Sequence, residues 1–163
     1  MHKRLEVTAN VLIILVAAML GFAIIDRYLV HKPATAFPSV SVGEKLPLTE
    51  VDWQRNGRTL LLVLQKGCHY CAESAPFYQK VVRQAEQSRR VHLIAVLPQA
   101  PQEAVDYLCE LGVSITDVRQ AKLRTIRVRG TPTVLLVSNT GVVERAWIGR
   151  LPADKESEVL GSL

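Results

Sequence analysis

The chain has 163 residues, of which 48% are hydrophobic and 21% charged, and its formal net charge is +5. This composition is typical of one globular domain with an additional apolar segment, and the absence of any internal repeat excludes a repeat protein. Nucleic-acid binding is disfavoured, because the basic residues that cluster at positions 119–129 have no aromatic side chains between them.

An apolar segment near the N-terminus, residues 7–25, carries no charged side chain. At about 1.5 Å per helical residue its length approaches the roughly 30 Å hydrocarbon core of a bilayer. The sequence therefore predicts a membrane anchor at residues 1–32. The alternative is a secretory signal that is cleaved near residues 34–36. The retained anchor is favoured, because charged residues separate that site from the apolar run, which is also longer than signal segments usually are.

The orientation of this anchor does not follow from charge, since two basic residues precede the apolar span and two follow it. A potential redox pair of cysteines favours an oxidising compartment. We therefore expect a single-pass protein of the inner (cytoplasmic) membrane whose domain lies on the extracytoplasmic, periplasmic side. Residues 33–48 contain several prolines and are predicted to be a linker, and residues 49–163 to form the domain.

The rest of the chain alternates between strand and helix patterns. Short apolar runs are typical of strands that are buried on both faces, and the segments between them have apolar residues at helical spacing. The predicted elements are a strand at Thr59–Gln65, a helix at Ala72–Ser88, a strand at His92–Pro98, a helix from Pro101 to Gly112, a short helix near Asp117–Ile126, hairpin strands at Thr133–Ser138 and Val142–Gly149, and a helix at Ala153–Leu160. This order predicts an α/β fold, with helices on both faces of a mixed sheet.

Two cysteines, Cys68 and Cys71, stand in the stretch KGCHYC between the first predicted strand and the first predicted helix. Unpaired amides and the positive end of the helix dipole favour a thiolate at Cys68. Cys71 lies deeper in the helix and within reach of a disulfide. Cys68 is thus predicted to attack and Cys71 to resolve. His69 either adds a positive charge beside the thiolate or faces solvent.

These residues resemble the thioredoxin superfamily, and in particular the membrane-anchored TlpA/ResA-like thiol–disulfide oxidoreductases. The resemblance covers about residues 42–160. It rests on the Cys-x-x-Cys motif at the strand-to-helix junction, on Pro76, and on the Gly-Thr-Pro-Thr motif at positions 130–133 ahead of the terminal hairpin. It implies a thioredoxin-like fold in which Pro132 is a cis-proline against the cysteine pair, Thr131 offers backbone hydrogen bonds to a substrate, and Pro76 kinks the active-site helix.

The resemblance also implies an enzyme that acts through a mixed disulfide. Gly67 and His69 would tune the thiolate. No cofactor or metal is expected, since the dithiol itself carries the electrons. The expected partners are protein thiol or disulfide substrates and a redox-recycling protein, with the chain itself monomeric. Two alternatives stay open: a copper-binding protein that uses Cys68, His69 and Cys71, and a non-catalytic binding module.

The sequence departs from the family at two places. Lys66 and Gly67 stand where thioredoxins usually carry a tryptophan, and Leu62 stands where thioredoxin buries an acid. The usual proton acceptor for Cys71 is therefore missing. Glu73, the nearest carboxylate in the sequence, is expected to be solvated in the first helical turn.

Two further features have no assigned role. Cys109 is expected to share the buried face of its helix and to behave as a small hydrophobe. Five basic residues crowd the segment before Pro132, and they form either a solvated face or a surface that steers an acidic partner. They are Arg119, Lys122, Arg124, Arg127 and Arg129.

Overall fold

The computed structural model of the protein describes residues 14–21 and 39–163. The chain divides into two units, Met1–Ala36 and Phe37–Leu163. In the first unit, residues 14–21 are helical. No helix within the described residues is both long enough and apolar enough to cross a membrane. The predicted span at residues 7–25 lies mostly outside the described residues and stays a prediction.

The second unit is a five-stranded mixed sheet with helices packed against it. The strands are β1 (Thr59–Val63), β2 (His92–Leu97), β3 (Val118–Gln120), β4 (Thr133–Val137) and β5 (Val143–Ile148). The helices are α1 (Trp53–Asn56), α2 (His69–Glu73), α3 (Ala75–Ser88), α4 (Pro101–Glu110) and α5 (Ala153–Leu160). The strand order is β3-β2-β1-β4-β5, in which β1, β2 and β3 are parallel while β4 is antiparallel to both of its neighbours.

The central strand, β1, is buried along its whole length. Successive strand residues point to opposite faces, so Leu60 and Leu62 enter one core while Leu61 and Val63 enter the other. The first core also takes side chains from α3, α4 and α5, and the second takes them from α1 and from the segment before β4. A strand with a core on each side needs apolar residues at every position, which explains the continuous run in the sequence.

Residues 39–48, which belong to the predicted linker, have no regular structure but cover the second core. Val40, Leu46 and Leu48 are buried there. The amide of Leu46 also donates a hydrogen bond of 2.8 Å to the carbonyl of Gly141, in the turn between β4 and β5. This segment therefore packs as part of the second unit.

The short helix predicted near Asp117–Ile126 is wrong. Residues Val118–Gln120 form β3, which pairs in parallel with β2, and turns follow. The pairing satisfies backbone groups of β2 that would otherwise be left at an open sheet edge. A long-range interaction thus overrides the local helical pattern.

The predicted helix Ala72–Ser88 is in fact two helices, because α2 ends before Ser74 and α3 starts after it. Pro76 has no N–H to donate one turn back, so the helix cannot continue through this point with regular bonding. The Ser74 hydroxyl donates a hydrogen bond of 2.8 Å to the carbonyl of Tyr70. This break agrees with the kink that the resemblance implied.

Gly141 provides a test of how tightly the second core is closed. Its φ is +81°, and a Cβ at this position would lie 2.9 Å from ring atoms of Trp53, which is 9% exposed. We expect Gly141→Ala to lower the free energy of unfolding by roughly 2–4 kcal/mol, because a left-handed backbone and a clash with a buried ring add together. Urea denaturation followed by tryptophan fluorescence measures the loss.

Gly43→Ala is the matched control, since Gly43 has φ +89° but open space around its Cβ position. Only the backbone cost applies there, roughly 1–2 kcal/mol. Equal losses in the two variants would contradict a tight contact between Gly141 and Trp53.

Candidate active site

Cys68 is the N-cap residue of α2, just beyond the carboxyl end of β1. Gly67 precedes it with φ +81°, a left-handed conformation that glycine adopts without steric cost and that turns the chain from the strand into the helix. The sulfur of Cys68 accepts a hydrogen bond of 3.3 Å from the backbone N–H of Cys71. A side-chain acceptor at an N-cap pairs an amide that the helix leaves unbonded.

The loop before β4 supplies the other side of the site. The peptide bond between Thr131 and Pro132 is cis, and the Cys68 thiol donates to the Thr131 carbonyl with a sulfur–oxygen distance of 3.3 Å. The sheet explains this meeting: β4 runs antiparallel to β1, so Thr133 at its start pairs with Val63 at the end of β1. The two motifs, 63 residues apart in sequence, are therefore held together by strand register.

The two cysteines differ in exposure. Cys68 is partly exposed, whereas Cys71 is fully buried in the first core. Both are free thiols. The sulfur at the surface is the one that a partner can reach, and the buried sulfur lies behind it.

The same surroundings move the two thiol pKa values in opposite directions. Burial raises the pKa of Cys68, but hydrogen bonds to its sulfur from the side chains of Cys71 and Thr131 and from the backbone amides of Cys71 and Tyr70 outweigh burial and lower it overall. At Cys71, burial dominates, and together with the hydrogen bond to Cys68 it raises the pKa to about 12. Cys68 is therefore the thiol that ionises first.

His69 is turned toward Glu73 on the next turn of α2. Its side chain is 78% exposed, and its Nε2 lies 3.2 Å from a carboxylate oxygen of Glu73. The other Glu73 oxygen accepts a hydrogen bond of 2.8 Å from Arg150, just beyond β5. Glu73 thus joins an exposed ion-pair cluster at the rim of the site. Of the two predicted environments of His69, solvent is the one observed.

The expectation for Cys109 is wrong, because this residue is exposed. The buried face of α4 is formed by Ala104, Tyr107 and Leu108, and the helical period places Cys109 to one side of that face, as it does the exposed Val105. The sequence pattern had been assigned the wrong phase around the helix.

Some residues of the basic segment before the cis-proline form ion pairs, and others are exposed. Arg119 donates a hydrogen bond of 2.6 Å to Asp117, and Arg127 lies 3.4 Å from Glu44. Lys122 and Arg129 are exposed. Part of this run is therefore used to hold surface loops together.

Sequence reasoning missed two tyrosines behind the cysteine pair, Tyr78 on α3 and Tyr107 on α4. Both belong to the same core as Cys71. Tyr78 had a detectable signal, since it stands at an apolar position of the predicted helix Ala72–Ser88. Tyr107 had none, because only the packing of α4 brings it there.

No group of three or more His, Cys, Asp or Glu side chains in residues 14–21 and 39–163 is arranged to hold a metal ion. The imidazole that would complete a set with the two cysteines is paired with Glu73 instead.

The fold and the site together define a thioredoxin-like domain: a mixed sheet with a Cys-x-x-Cys pair at a helix start, opposite a cis-proline loop. No protein-family model matches this chain, and no curated protein matches it. Solved structures do match it.

A thiol:disulfide interchange protein DsbE from Chlorobium tepidum superposes with a TM-score of 0.57 at 23% identity, covering 76% of this chain and 100% of that one. A thiol-disulfide isomerase from Corynebacterium glutamicum superposes with a TM-score of 0.54 at 20% identity, covering 78% of this chain and 94% of that one. A protein disulfide isomerase from Bacteroides thetaiotaomicron superposes with a TM-score of 0.58 at 16% identity, covering 76% of this chain and 88% of that one. The resemblance found in the sequence is thus confirmed at the level of the fold.

The opposite pKa shifts predict different reactivity for the two thiols. In the Cys109→Ser chain, we expect the rate of Cys68 alkylation by iodoacetamide to rise with pH around a midpoint below the ordinary value for cysteine, because only the thiolate reacts. Cys71 should stay unmodified over the same range, since it is buried and its pKa is raised. Mass spectrometry of peptides quantifies both reactions.

The control is the same chain unfolded in urea, in which the two cysteines should titrate alike. A Cys68 midpoint in the folded chain at or above that of the unfolded chain would contradict the hydrogen-bonded arrangement of its sulfur.

Proposed function

We propose that this protein is a thiol–disulfide oxidoreductase that works through a mixed disulfide on Cys68. The observation that carries the proposal is the asymmetry of the pair: a reachable thiol with a lowered pKa stands directly in front of a buried thiol with a raised one. Such an arrangement separates an attacking sulfur from a resolving sulfur. The names of the similar solved structures, which include disulfide interchange and disulfide isomerase, support the same chemistry.

The reaction consists of two thiol–disulfide exchanges. The Cys68 thiolate attacks a partner disulfide, forms a mixed disulfide, and releases one partner sulfur as a thiolate. Cys71 then loses its proton and attacks the Cys68 sulfur, which releases the second partner sulfur and leaves a disulfide between Cys68 and Cys71. The same steps in reverse oxidise a partner dithiol. The electrons travel on the sulfurs, so no cofactor takes part.

Protein substrates are favoured by the loop beside the cysteine pair. The carbonyl of Thr131 faces Cys68 ahead of a buried Pro132, and backbone groups of this kind bind an extended peptide without regard to its side chains. The substrate class we propose is therefore a cysteine-containing segment of another protein, with a separate redox protein restoring the pair.

We further propose that residues 7–25 tether the protein to the inner (cytoplasmic) membrane, with the domain on the periplasmic side. The proposal rests on the length and apolarity of this segment and on the oxidising compartment in which disulfide chemistry persists.

The mixed disulfide can be trapped by removing the resolving sulfur. In cells that produce the Cys71→Ser chain, we expect at least one discrete covalent adduct on a non-reducing gel. The mixed disulfide on Cys68 persists because the chain lacks the Cys71 sulfur that would attack it. A reductant should cleave the disulfide and release the partner from the adduct. Mass spectrometry of the cross-linked peptides identifies the joined sulfurs.

Two controls assign the adduct. It should disappear in the chain with both Cys68→Ser and Cys71→Ser, and persist when Cys109→Ser is added to Cys71→Ser. If the purified wild-type chain neither reduced a peptide disulfide nor oxidised a peptide dithiol, and no adduct formed, a binding module would be the better description. Stoichiometric copper in the purified chain would favour the metal-binding alternative.

The membrane proposal makes its own prediction. The full chain should sediment with membranes, resist extraction by alkaline carbonate and dissolve in detergent, whereas a chain that starts at residue 33 should remain in the supernatant. In cells with a permeabilised outer membrane, the exposed Cys109 should react with a thiol reagent that cannot cross the inner membrane. Labelling that requires lysis would place the domain on the cytoplasmic side.

A further inference from the structure

A groove lies beside the cysteine pair, between the start of α3 and the loop from β5 to α5. Its volume is about 520 Å³, within the range of pockets that bind small ligands. The exchange reaction proposed above uses the two sulfurs and the Thr131 carbonyl, and it gives this groove no role. The groove is therefore a candidate for a second contact with the partner.

Both walls of the groove begin at elements of the active site. On one side, Glu73 ends α2, the helix that Cys68 caps, and at about 1.5 Å per helical residue it lies about 7.5 Å along the axis from Cys68. On the other side, Arg150 directly follows Gly149, whose N–H donates a hydrogen bond of 2.7 Å to the Pro132 carbonyl. A polypeptide that is bound at Cys68 and the cis-proline loop can therefore continue into the groove.

Half of the lining is apolar, and it consists of Pro76, Phe77, Leu151, Pro152 and Ala153. Phe77 is 3% exposed and forms the floor. Pro76, Pro152 and Ala153 are exposed, and Leu151 is partly exposed. Exposed apolar surface next to a reactive group is typical of a site that binds a partner, because the contact removes that surface from water.

The polar side chains of the lining have partners of their own. Arg150 donates a hydrogen bond of 2.8 Å to Glu73, and Lys80 lies 3.9 Å from Glu156. The hydroxyl of Ser74 donates to a backbone carbonyl. Because the two positive and two negative groups balance, a charged side chain that entered the groove would lose hydration without meeting an excess of opposite charge. An apolar side chain would lose no such hydration and would contact the apolar half of the lining.

We propose that this groove binds an apolar side chain of the partner polypeptide, two or three positions from the cysteine that reacts with Cys68. The proposal rests on the oxidoreductase function proposed above and adds selectivity to it. The Thr131 carbonyl bonds a peptide backbone whatever its side chains are, whereas the groove distinguishes one side chain from another.

The reach of an extended chain sets the position of this residue. A strand advances about 3.3 Å per residue, so two or three residues cover the distance of about 7.5 Å between Cys68 and Glu73 along α2. The substrate class is thus a protein segment that carries a residue such as leucine close to its cysteine.

The test uses the full chain in detergent, reduced beforehand, and disulfide-linked dimers of a short glycine-rich peptide. One leucine is placed in turn at each position up to three residues on either side of the cysteine, and the reference peptide has glycine throughout. The second-order rate constant for release of peptide thiol is measured for each dimer. Each value is divided by the rate constant of the same chain with hydroxyethyl disulfide, which is too small to extend into the groove, so that loss of folded protein in a variant cancels.

Ala153→Trp fills the groove, since Ala153 is the exposed first residue of α5 and lines it. The matched control is Val105→Trp, which adds a ring of the same size to α4. Val105 is 46% exposed and lines a separate cleft. The two variants thus differ in which cleft receives the ring.

We expect leucine two or three positions from the cysteine to raise the wild-type rate constant on the order of tenfold over glycine, the effect of burying most of a leucine side chain. Glutamate or lysine at the same position should give no such gain. In Ala153→Trp the ratio of the leucine to the glycine rate constant should fall to within about twofold of one, whereas Val105→Trp should keep the wild-type ratio.

Equal rate constants for the leucine and glycine peptides in the wild-type chain would overturn the proposal, as would an unchanged ratio in Ala153→Trp or a larger gain with glutamate or lysine. A leucine preference that fades as the protein concentration rises would mean that a second copy of the chain occupies the groove, and would also overturn it. If the wild-type chain reduced neither hydroxyethyl disulfide nor any peptide, the oxidoreductase function itself would fall. The small disulfide thus separates the two failures.

Discussion

The hydrogen bonds to one sulfur, that of Cys68, connect the elements on which the site depends. One comes from the backbone of α2 and the other runs to the carbonyl of Thr131 in the loop before β4. The first requires the helix to begin at this residue, and the second requires β4 to lie against β1 in its observed register. A shift of one residue in that register would turn β4 over and move the loop away from the cysteines.

Burial and hydrogen bonding compete at this sulfur, and the balance between them distinguishes the two thiols. Burial raises the pKa of both cysteines and is the largest single influence on each. At Cys68 the hydrogen bonds together outweigh it, whereas at Cys71 the contact with Cys68 adds to it. The pKa values of two thiols within one helical turn therefore shift in opposite directions. The N-cap geometry directs backbone amides toward the Cys68 sulfur and leaves the Cys71 sulfur inside the core.

The sheet makes this asymmetry possible by separating two cores. The first core holds Cys71 and the two tyrosines, while the second is closed by the irregular segment 39–48 and by Trp53. The chemistry of the site is thus confined to one face and one end of the sheet. On the other face, Leu61 and Val63 of β1 pack into the second core.

Much of this organisation was predictable from the sequence, because it depends on interactions between close neighbours. The strand before Cys68, the start of a helix near it, the hairpin of β4 and β5, and the helix Ala153–Leu160 follow from apolar runs, turn residues and helical spacing. The motif at 130–133 indicated a cis-proline through its resemblance to known proteins, and the peptide bond at Pro132 is cis. The pairing of Cys68 with Cys71 was also local, since three positions separate them.

Contacts between distant segments decided the rest. Residues 118–120 became a strand because β2 offered unpaired backbone, and Cys109 faced solvent because the packing of α4 buried Tyr107 and Leu108. Glu73, the local partner of His69, is also held by the distant Arg150. The placement of Tyr107 beside Tyr78 likewise depends on how α4 packs on the sheet. The sequence by itself determined which residues can ionise, exchange sulfur bonds or fill a core; only the tertiary structure decided which of them meet. The physical reason is that partners far apart in the chain compete for the same surfaces, and the energy of that competition is absent from any local pattern.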